Sequence, residues 1–281
     1  MQDWILAWRH LPAQMSPTLL EIGSFQLRYY SLMYLVAFAC TYFLVLYRIK
    51  REGYPYTAEQ IQDYFVWAIL GVIVGGRLGY VFFYNLDYYL AHPLEILFPF
   101  QFSGGFHFVG ISGMSYHGGV IAVLIASVVF CRRRKIAFWR FADLICPAIP
   151  LGYTFGRLGN FINGELYGRA TTVPWGMVFP LDPMHLLRHP SQLYEAFFEG
   201  VVLFAVLWAV RRKSPFDGAL FAWYIIGYGA IRFVIEFFRE PDAQLGLVLG
   251  PFSMGQLLCL AMMAAGAWLY AVRRLAVAKA G

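Results

Sequence analysis

Seven long apolar stretches run along this chain, at roughly 24–47, 61–84, 116–131, 141–160, 194–210, 218–238 and 253–272, separated by polar or Gly/Pro-rich connections. A helix that crosses the hydrocarbon core needs about 20 mostly apolar residues. The pattern therefore predicts about seven transmembrane helices, with the third and fourth limits least sharply marked. Little chain remains for anything else. We expect an all-α polytopic membrane bundle, a single integral membrane domain over residues 1–281, with small extracytoplasmic cap segments at 86–115 and 161–193. The second cap is punctuated by Pro174, Pro180, Pro183 and Pro190 and reads as extended or β-containing. The first mixes aromatic and apolar residues with Gly and Pro, as suits a segment lying in the membrane interface.

Composition agrees with the pattern. The chain is 60% hydrophobic and 14% charged, whereas soluble domains are about a quarter charged. Of the 22 basic residues, 14 fall in four clusters: Arg48/Lys50/Arg51, Arg132–Lys135 with Arg140, Arg211–Lys213, and Arg273/Arg274 with Lys279. With seven spans these clusters occupy alternate connections and the C-terminal tail, all on one side. Because Lys and Arg at span ends favour the cytoplasm, the N-terminus is expected outside and the C-terminus inside. The net charge of +6 is thus a topology signal, and no nucleic-acid partner is expected. Residues 1–20 lack a basic start followed by a long apolar core, so no cleavable signal peptide is expected. Cys40, Cys131, Cys146 and Cys259 lie in or beside apolar stretches without CxxC spacing, and neither a disulfide framework nor a metal site or cofactor is expected.

The polar residues that interrupt the apolar stretches carry the chemistry. GRLGNFINGELYGR, residues 156–169, packs Arg157, Asn160, Asn163 and Glu165 among glycines where the fourth span should meet the outer surface. Small residues permit close helix packing, which accounts for the glycines and leaves the polar set unexplained. Arg232 and Glu236 are four apart and share a helix face. Arg232 sits about six residues, or roughly 9 Å, from the expected end of its span. His117 begins the third span beside two glycines, Tyr30 lies near the outer end of the first, and Arg77, Gln192 and Glu195 complete the set. Taken alone, Arg77 fits helix packing equally well, and Arg232/Glu236 fits a structural ion pair. Their shared depth argues otherwise: residues scattered for packing should spread through the bilayer, and these map to the outer half. Two guanidiniums at headgroup depth suit a phosphate, to which they offer bidentate, permanently charged contacts. The natural phosphate there belongs to an anionic phospholipid.

These motifs resemble those of the prolipoprotein diacylglyceryl transferase family. GRLGNFINGELYGR is similar to its signature segment almost residue for residue. HGG at 117–119, HPSQLYE at 189–195, GYGAIRFVIEFFREPDAQ at 227–244 and SMGQ at 253–256 follow in family order. One departure is the lead into the histidine motif, GFHFVGISGMSYHGG, which is longer than the family's and lacks its Trp. The resemblance implies a bacterial cytoplasmic (inner) membrane enzyme. Its reaction would move the diacylglyceryl group of phosphatidylglycerol to the lipobox cysteine thiol of a prolipoprotein signal peptide, releasing glycerol phosphate. It matches Tyr30, His117, Arg157, Asn160, Glu165, Gly168, Arg232 and Glu236 to functional positions. We expect His117, Arg157, Arg232 and Tyr30 to be catalytic, and Arg157, Asn160, Glu165, Gly168, Arg77, Gln192 and Glu236 to bind substrate. The attacking thiol would come from the substrate, and His, which ordinarily titrates near neutrality, could take its proton. The competing reading is a lipid or solute transporter. Transporters tend to place their site near the midplane between internal repeats, and no repeat is evident here.

Overall fold

The computed structural model describes residues 2–22, 25–97, 100–101, 107–108, 113–240, 247–250 and 252–280. Residues 109–112 of the lead into the histidine motif and 241–244 of GYGAIRFVIEFFREPDAQ lie outside the described residues, as does most of 98–106. In chain order the helices are α1 (Gln2–Arg9), α2 (Leu11–Gln14), α3 (Tyr29–Glu52), α4 (Ala58–Tyr84), α5 (Leu86–Ala91), α6 (Leu94–Leu97), α7 (Tyr116–Arg133), α8 (Phe138–Ile145), α9 (Ile149–Ile162), α10 (Ser191–Tyr194), α11 (Leu203–Val210), α12 (Ala219–Ile235) and α13 (Met254–Ala280). Four antiparallel two-stranded hairpins join them: β1–β2 (Thr18–Ile22, Phe25–Arg28), β3–β4 (Phe100–Gln101, His107–Phe108), β5–β6 (Met177–Val178, Leu187–Arg188) and β7–β8 (Leu247–Leu249, Phe252–Ser253). The β content expected in the second cap is the β5–β6 pair.

Among the described residues, five helical segments are long and apolar enough to cross a membrane: Tyr29–Glu52, Ala58–Tyr84, Tyr116–Arg133, Ser191–Val210 and Met254–Lys279. The shorter Ala219–Ile235 is also apolar. Large side chains such as Leu35, Phe43, Phe82, Phe83, Phe197 and Trp268 stay exposed along these helices, as lipid-facing surfaces require. The chain is a multi-pass membrane protein.

Two compact units emerge, Met1–Tyr54 with Ala142–Gly281, and Pro55–Phe141. The smaller is built on α4 against α7. Gly75 and Gly79 meet Gly118 so closely that a Cβ at Gly79 would lie 2.7 Å from Gly118 Cα. Ser115 caps α7 by accepting from the Gly118 amide at 3.3 Å. The glycines beside His117 are therefore packing residues first, in the small-residue mode of membrane helix pairs.

In the larger unit, α3 packs on α9, α9 on the segment after α10, and α12 on α13. Here the expected continuous span at 141–160 is broken. Residues 146–148 form a 3₁₀ turn between α8 and α9. Pro147 has no N–H to give the carbonyl of Asp143 four residues earlier. Arg48 replaces that donor: its Nη1 lies 2.6 Å from the carbonyl oxygens of both Asp143 and Leu144. The same guanidinium pairs with Glu52 at 2.8 Å and donates to the Tyr54 hydroxyl. The Asp143 carboxylate accepts from the Gly218 and Phe221 amides and so caps α12. The sequence reading counted Arg48 in the first basic cluster. Its side chain is 0% exposed and repairs a helix break.

The fifth span begins earlier than expected, at Ser191, and residues Glu195–Val202 adopt a π-helix before α11. The wider turn frees the Ala196 carbonyl, which accepts from Thr154 Oγ1 of α9 at 3.2 Å. Gly200 faces the same threonine so closely that a Cβ there would overlap it.

Arg48→Ala should destabilise the protein by about 1–3 kcal/mol, since it leaves two buried carbonyls without their donor while Glu52 keeps its 2.7 Å pair with Arg211. Arg48→Lys, with one ammonium in place of a fork, should recover part of that. Thermal unfolding in detergent would test both, and an Arg48→Ala protein as stable as the parent would refute the repair.

Candidate active site

One end of the larger unit collects the polar residues. Tyr30 opens α3, Arg157 lies five residues before the end of α9, Glu195 opens the π-helix, Arg232 lies three residues before the end of α12, and Ser253 precedes α13. Arg232 is thus nearer its helix end than the sequence suggested, because residues 236–238 turn out of the helix. At the opposite ends of these helices stand Lys50, Arg211 and Arg273, the last donating to the Asp217 carbonyl at 3.1 Å.

At the centre is the carboxylate of Glu195, which is 0% exposed. Its Oε2 lies 2.8 Å from Arg157 Nε and 2.8 Å from Arg232 Nη1. Two guanidiniums that would repel one another are held on one anion. Arg232 Nη2 pairs with Glu236 at 3.0 Å, and Arg232 Nη1 lies 3.5 Å from Glu199. The Tyr153 hydroxyl accepts from Arg157 Nε at 2.6 Å and donates to Glu199 Oε2 at 2.5 Å. The Arg157 guanidinium also lies 4.8 Å from the centre of the Tyr153 ring. Both terminal nitrogens of Arg232 are engaged. Arg157 differs: Nη1 has one long contact, 3.3 Å to Asn160 Oδ1, and Nη2 meets no hydrogen-bond partner among the described residues.

The signature segment forms the wall beside Arg157. Asn160 and Asn163 donate to Glu165 Oε1 at 2.8 and 3.2 Å. Gln192 Nε2 donates to the Glu165 carbonyl at 2.7 Å, and Ser191 to that of Leu166. Gly164 ends α9 with φ +69°, a left-handed conformation that glycine adopts freely, and the non-glycine Leu166 follows at φ +58°. Gly168 then runs between two other strands of backbone. Its amide donates to the His189 carbonyl at 2.8 Å, it bridges Arg239, and a Cβ would sit 2.8 Å from that same carbonyl oxygen. Tyr30 packs on Gly159 and shares a 3.0 Å hydrogen bond with Tyr34. On the far side, Ser253 donates to Glu236 at 3.2 Å and forms a capping box with Gln256 at the start of α13.

The larger unit therefore brings together Tyr30, Arg157, Asn160, Glu165, Gly168, Gln192, Arg232 and Glu236. His117 and Arg77 belong to the other unit. His117 is exposed at the start of α7. Arg77 donates to the carbonyls of Ile96 and Glu95 at 3.0 and 2.5 Å and covers the Tyr89 ring. It anchors the connection after α4.

Tyr153 and Glu199 were not singled out from the sequence. Tyr153 lies four residues before Arg157, an α-helical neighbour position that could have flagged it. Glu199 follows Glu195 by four in an otherwise apolar run, where any carboxylate is a functional candidate.

The segment after α9 packs into an apolar cluster of its own, called the cap below. Phe161, Met177 and Phe179 form a buried cluster joined by Trp8, Leu11 and Met15 from the N-terminal helices and by Tyr167 and Leu193. Arg188 grips Asp182 with Nε at 2.8 Å and Nη2 at 2.9 Å and reaches Glu240 at 3.1 Å. Burial holds the His189 imidazole below its usual range, which favours the neutral ring that shares a 3.1 Å hydrogen bond with Tyr194.

Comparison with known proteins agrees with the motifs. A family model described as prolipoprotein diacylglyceryl transferase matches residues 17–272. The phosphatidylglycerol–prolipoprotein diacylglyceryl transferase of Chlorobaculum tepidum is 55% identical over 267 residues, 95% of this chain and 92% of that protein. Proteins of the same name from Bordetella avium and Geobacter sulfurreducens are 48% and 49% identical, over 92% and 89% of this chain and 94% and 92% of their own.

The cap carries a pH dependence. Hydrogen bonds from Arg188 hold the Asp182 carboxyl down at about 2, against an ordinary 3.8. A depressed carboxyl contributes stability above its unfolded pKa and loses it as pH falls through the folded one. Exchange protection of the Met184 and Leu186 amides, both bonded to Asp182, should hold down to about pH 4 and vanish toward pH 2. Asp182→Asn should remove that dependence, and protection unchanged from pH 6 to 2 in the parent would contradict it.

Proposed function

The chain belongs to the prolipoprotein diacylglyceryl transferase family, and we propose that it transfers the diacylglyceryl group of phosphatidylglycerol to the thiol of a prolipoprotein lipobox cysteine. This is the first step of lipoprotein maturation, at the bacterial cytoplasmic membrane. The observation that carries the reading is the pair of guanidiniums held on one buried carboxylate with an Arg157 nitrogen left open. The basic clusters at the other helix ends support an extracytoplasmic site, with the N-terminus outside and the C-terminus inside.

The thiol sulfur attacks the glycerol carbon, the carbon–oxygen bond to phosphate breaks, and glycerol phosphate leaves. A free thiol titrates near 8.5 and only its thiolate attacks well, so a base must take the proton. His117 fills that role. Negative charge then grows on the departing phosphate. Arg157 meets it with the free edge of its fork, while Arg232, already held by Glu195 and Glu236, supplies a fixed positive field and keeps Arg157 in register. No charge has to reorganise as the bond breaks, which is the condition for strong electrostatic stabilisation. Asn160, Glu165, Tyr30 and Gln192 shape the wall for the headgroup glycerol, and Gly168 lets the backbone pass behind it. Arg77 serves by holding the connection that follows α4.

The direct test is purified protein with labelled phosphatidylglycerol and a lipobox peptide, followed for thioether-linked lipid and released glycerol phosphate. Lipid movement without chemical change would replace this reading by transport. Arg157→Lys keeps charge and removes the fork, and should cut turnover by about 10²–10³, the typical loss for one preplaced donor. Full activity in that variant would eliminate the bidentate contact. His117→Asn should abolish the acid limb of the pH–rate profile, and a profile of unchanged shape would remove His117 as the base.

A further inference from the structure

The buried cluster holds one acid that the transfer reaction does not use. Glu199 is 1% exposed. Arg157 and Arg232 contribute two positive charges, and Glu195, Glu199 and Glu236 three negative ones. Arg239, with Nη1 at 3.9 Å from Glu236, supplies a third cation at the edge. These six ion-paired groups are thus neutral together before any ligand arrives, and Glu165, held by Asn160 and Asn163, makes no ion pair with them. An anionic phosphate against Arg157 leaves them one negative charge in excess, in a setting where an uncompensated charge costs several kcal/mol.

The geometry identifies which acid can relieve that excess. Glu195 sits 2.8 Å from both guanidiniums, and Glu236 lies 3.0 Å from Arg232. Glu199 is the weakly paired one. Its Oε1 is 3.5 Å from Arg232 and has no hydrogen-bond donor, while its Oε2 faces the Tyr153 phenol at 2.5 Å. The remaining titratable groups around it are Tyr228 on α12 and Cys259 on α13.

Resting on the headgroup reading above, we propose that Glu199 takes up one proton when the anionic lipid headgroup binds. A solvent proton adds to the carboxylate and no other bond changes. The heavy atoms need not move. Protonated Glu199 donates to Tyr153 Oη, which still accepts from Arg157 Nε, and the phenol hydrogen turns to Glu195 Oε2, 3.2 Å away. Glu199 and Tyr153 are positioning residues: they keep the Arg157 fork aimed while the charge of the site changes.

The test is calorimetric titration of the intact protein in detergent with dioctanoyl-phosphatidylglycerol at pH 8. Two buffers of different ionisation enthalpy would give the number of protons exchanged. The expected uptake is close to one per lipid, with Kd rising up to about tenfold per pH unit where Glu199 is ionised. Glu199→Gln should bring the uptake to near zero and flatten the dependence of Kd on pH. Binding by the parent protein without proton uptake anywhere from pH 6 to 9 overturns the proposal and leaves the headgroup reading intact. Equal uptake in Glu199→Gln overturns it too. Absence of any binding heat overturns the headgroup reading and this inference with it.

Discussion

The Glu195 carboxylate is the constraint on which the site depends. Buried charges are tolerated when each has a partner at close range and are strongly destabilising when one partner is lost. Here three separate elements, α9, the π-helix and α12, each bring one charge to a common point. None of the three can place its charge there unless the other two are in position. The electrostatics that serve the ligand therefore also fix the register of the helices, and a single substitution at this point acts on both.

Backbone irregularity makes the convergence possible. A membrane helix must satisfy its own amides, and departures persist where protein groups take over the freed partners. The two departures in the larger unit both have such groups. Arg48 takes the carbonyls released at Pro147, and Thr154 takes the one released by the π-helix. The break at Pro147 separates α8 from α9, and Glu195 and Glu199, four residues apart, both face Arg232. Irregular turns of this kind are frequent at functional sites.

Much of this was legible in the sequence, and the reasons are physical. Apolar length fixed the existence of the spans. The helical i, i+4 relation between Arg232 and Glu236 foretold an ion pair that exists at 3.0 Å, and the polar density of residues 156–169 foretold the wall. What escaped were effects of the third dimension. Arg48 reads as one of a basic cluster with Lys50 and Arg51, and nothing local reveals that a proline about a hundred residues away needs a donor. Tyr153 reads as an interfacial aromatic. Glu195 and Glu199 are four apart, so their shared face was countable from helical spacing, while no period in the sequence announces the π-turn on which they lie. Ser253 and Gln256 were noticed as a motif, while the capping box they form is what places Glu236 against Ser253.

A reaction in which the nucleophile belongs to the substrate leaves an enzyme little covalent work. Its remaining tasks are to position two partners and to meet developing charge with charge already in place. The arrangement of the two arginines follows from that division. A fork wholly committed to protein carboxylates cannot greet a ligand, and one wholly uncommitted would swing and would repel its neighbour. Arg232 takes the first role and Arg157 the compromise: its Nε is fixed by Glu195 and Tyr153 and its outer edge stays open. The same logic explains why the acids outnumber what the two arginines alone require. In the proposed scheme the ion-paired groups are neutral at rest and change charge through one weakly held proton site, Glu199, in place of a rearrangement of helices.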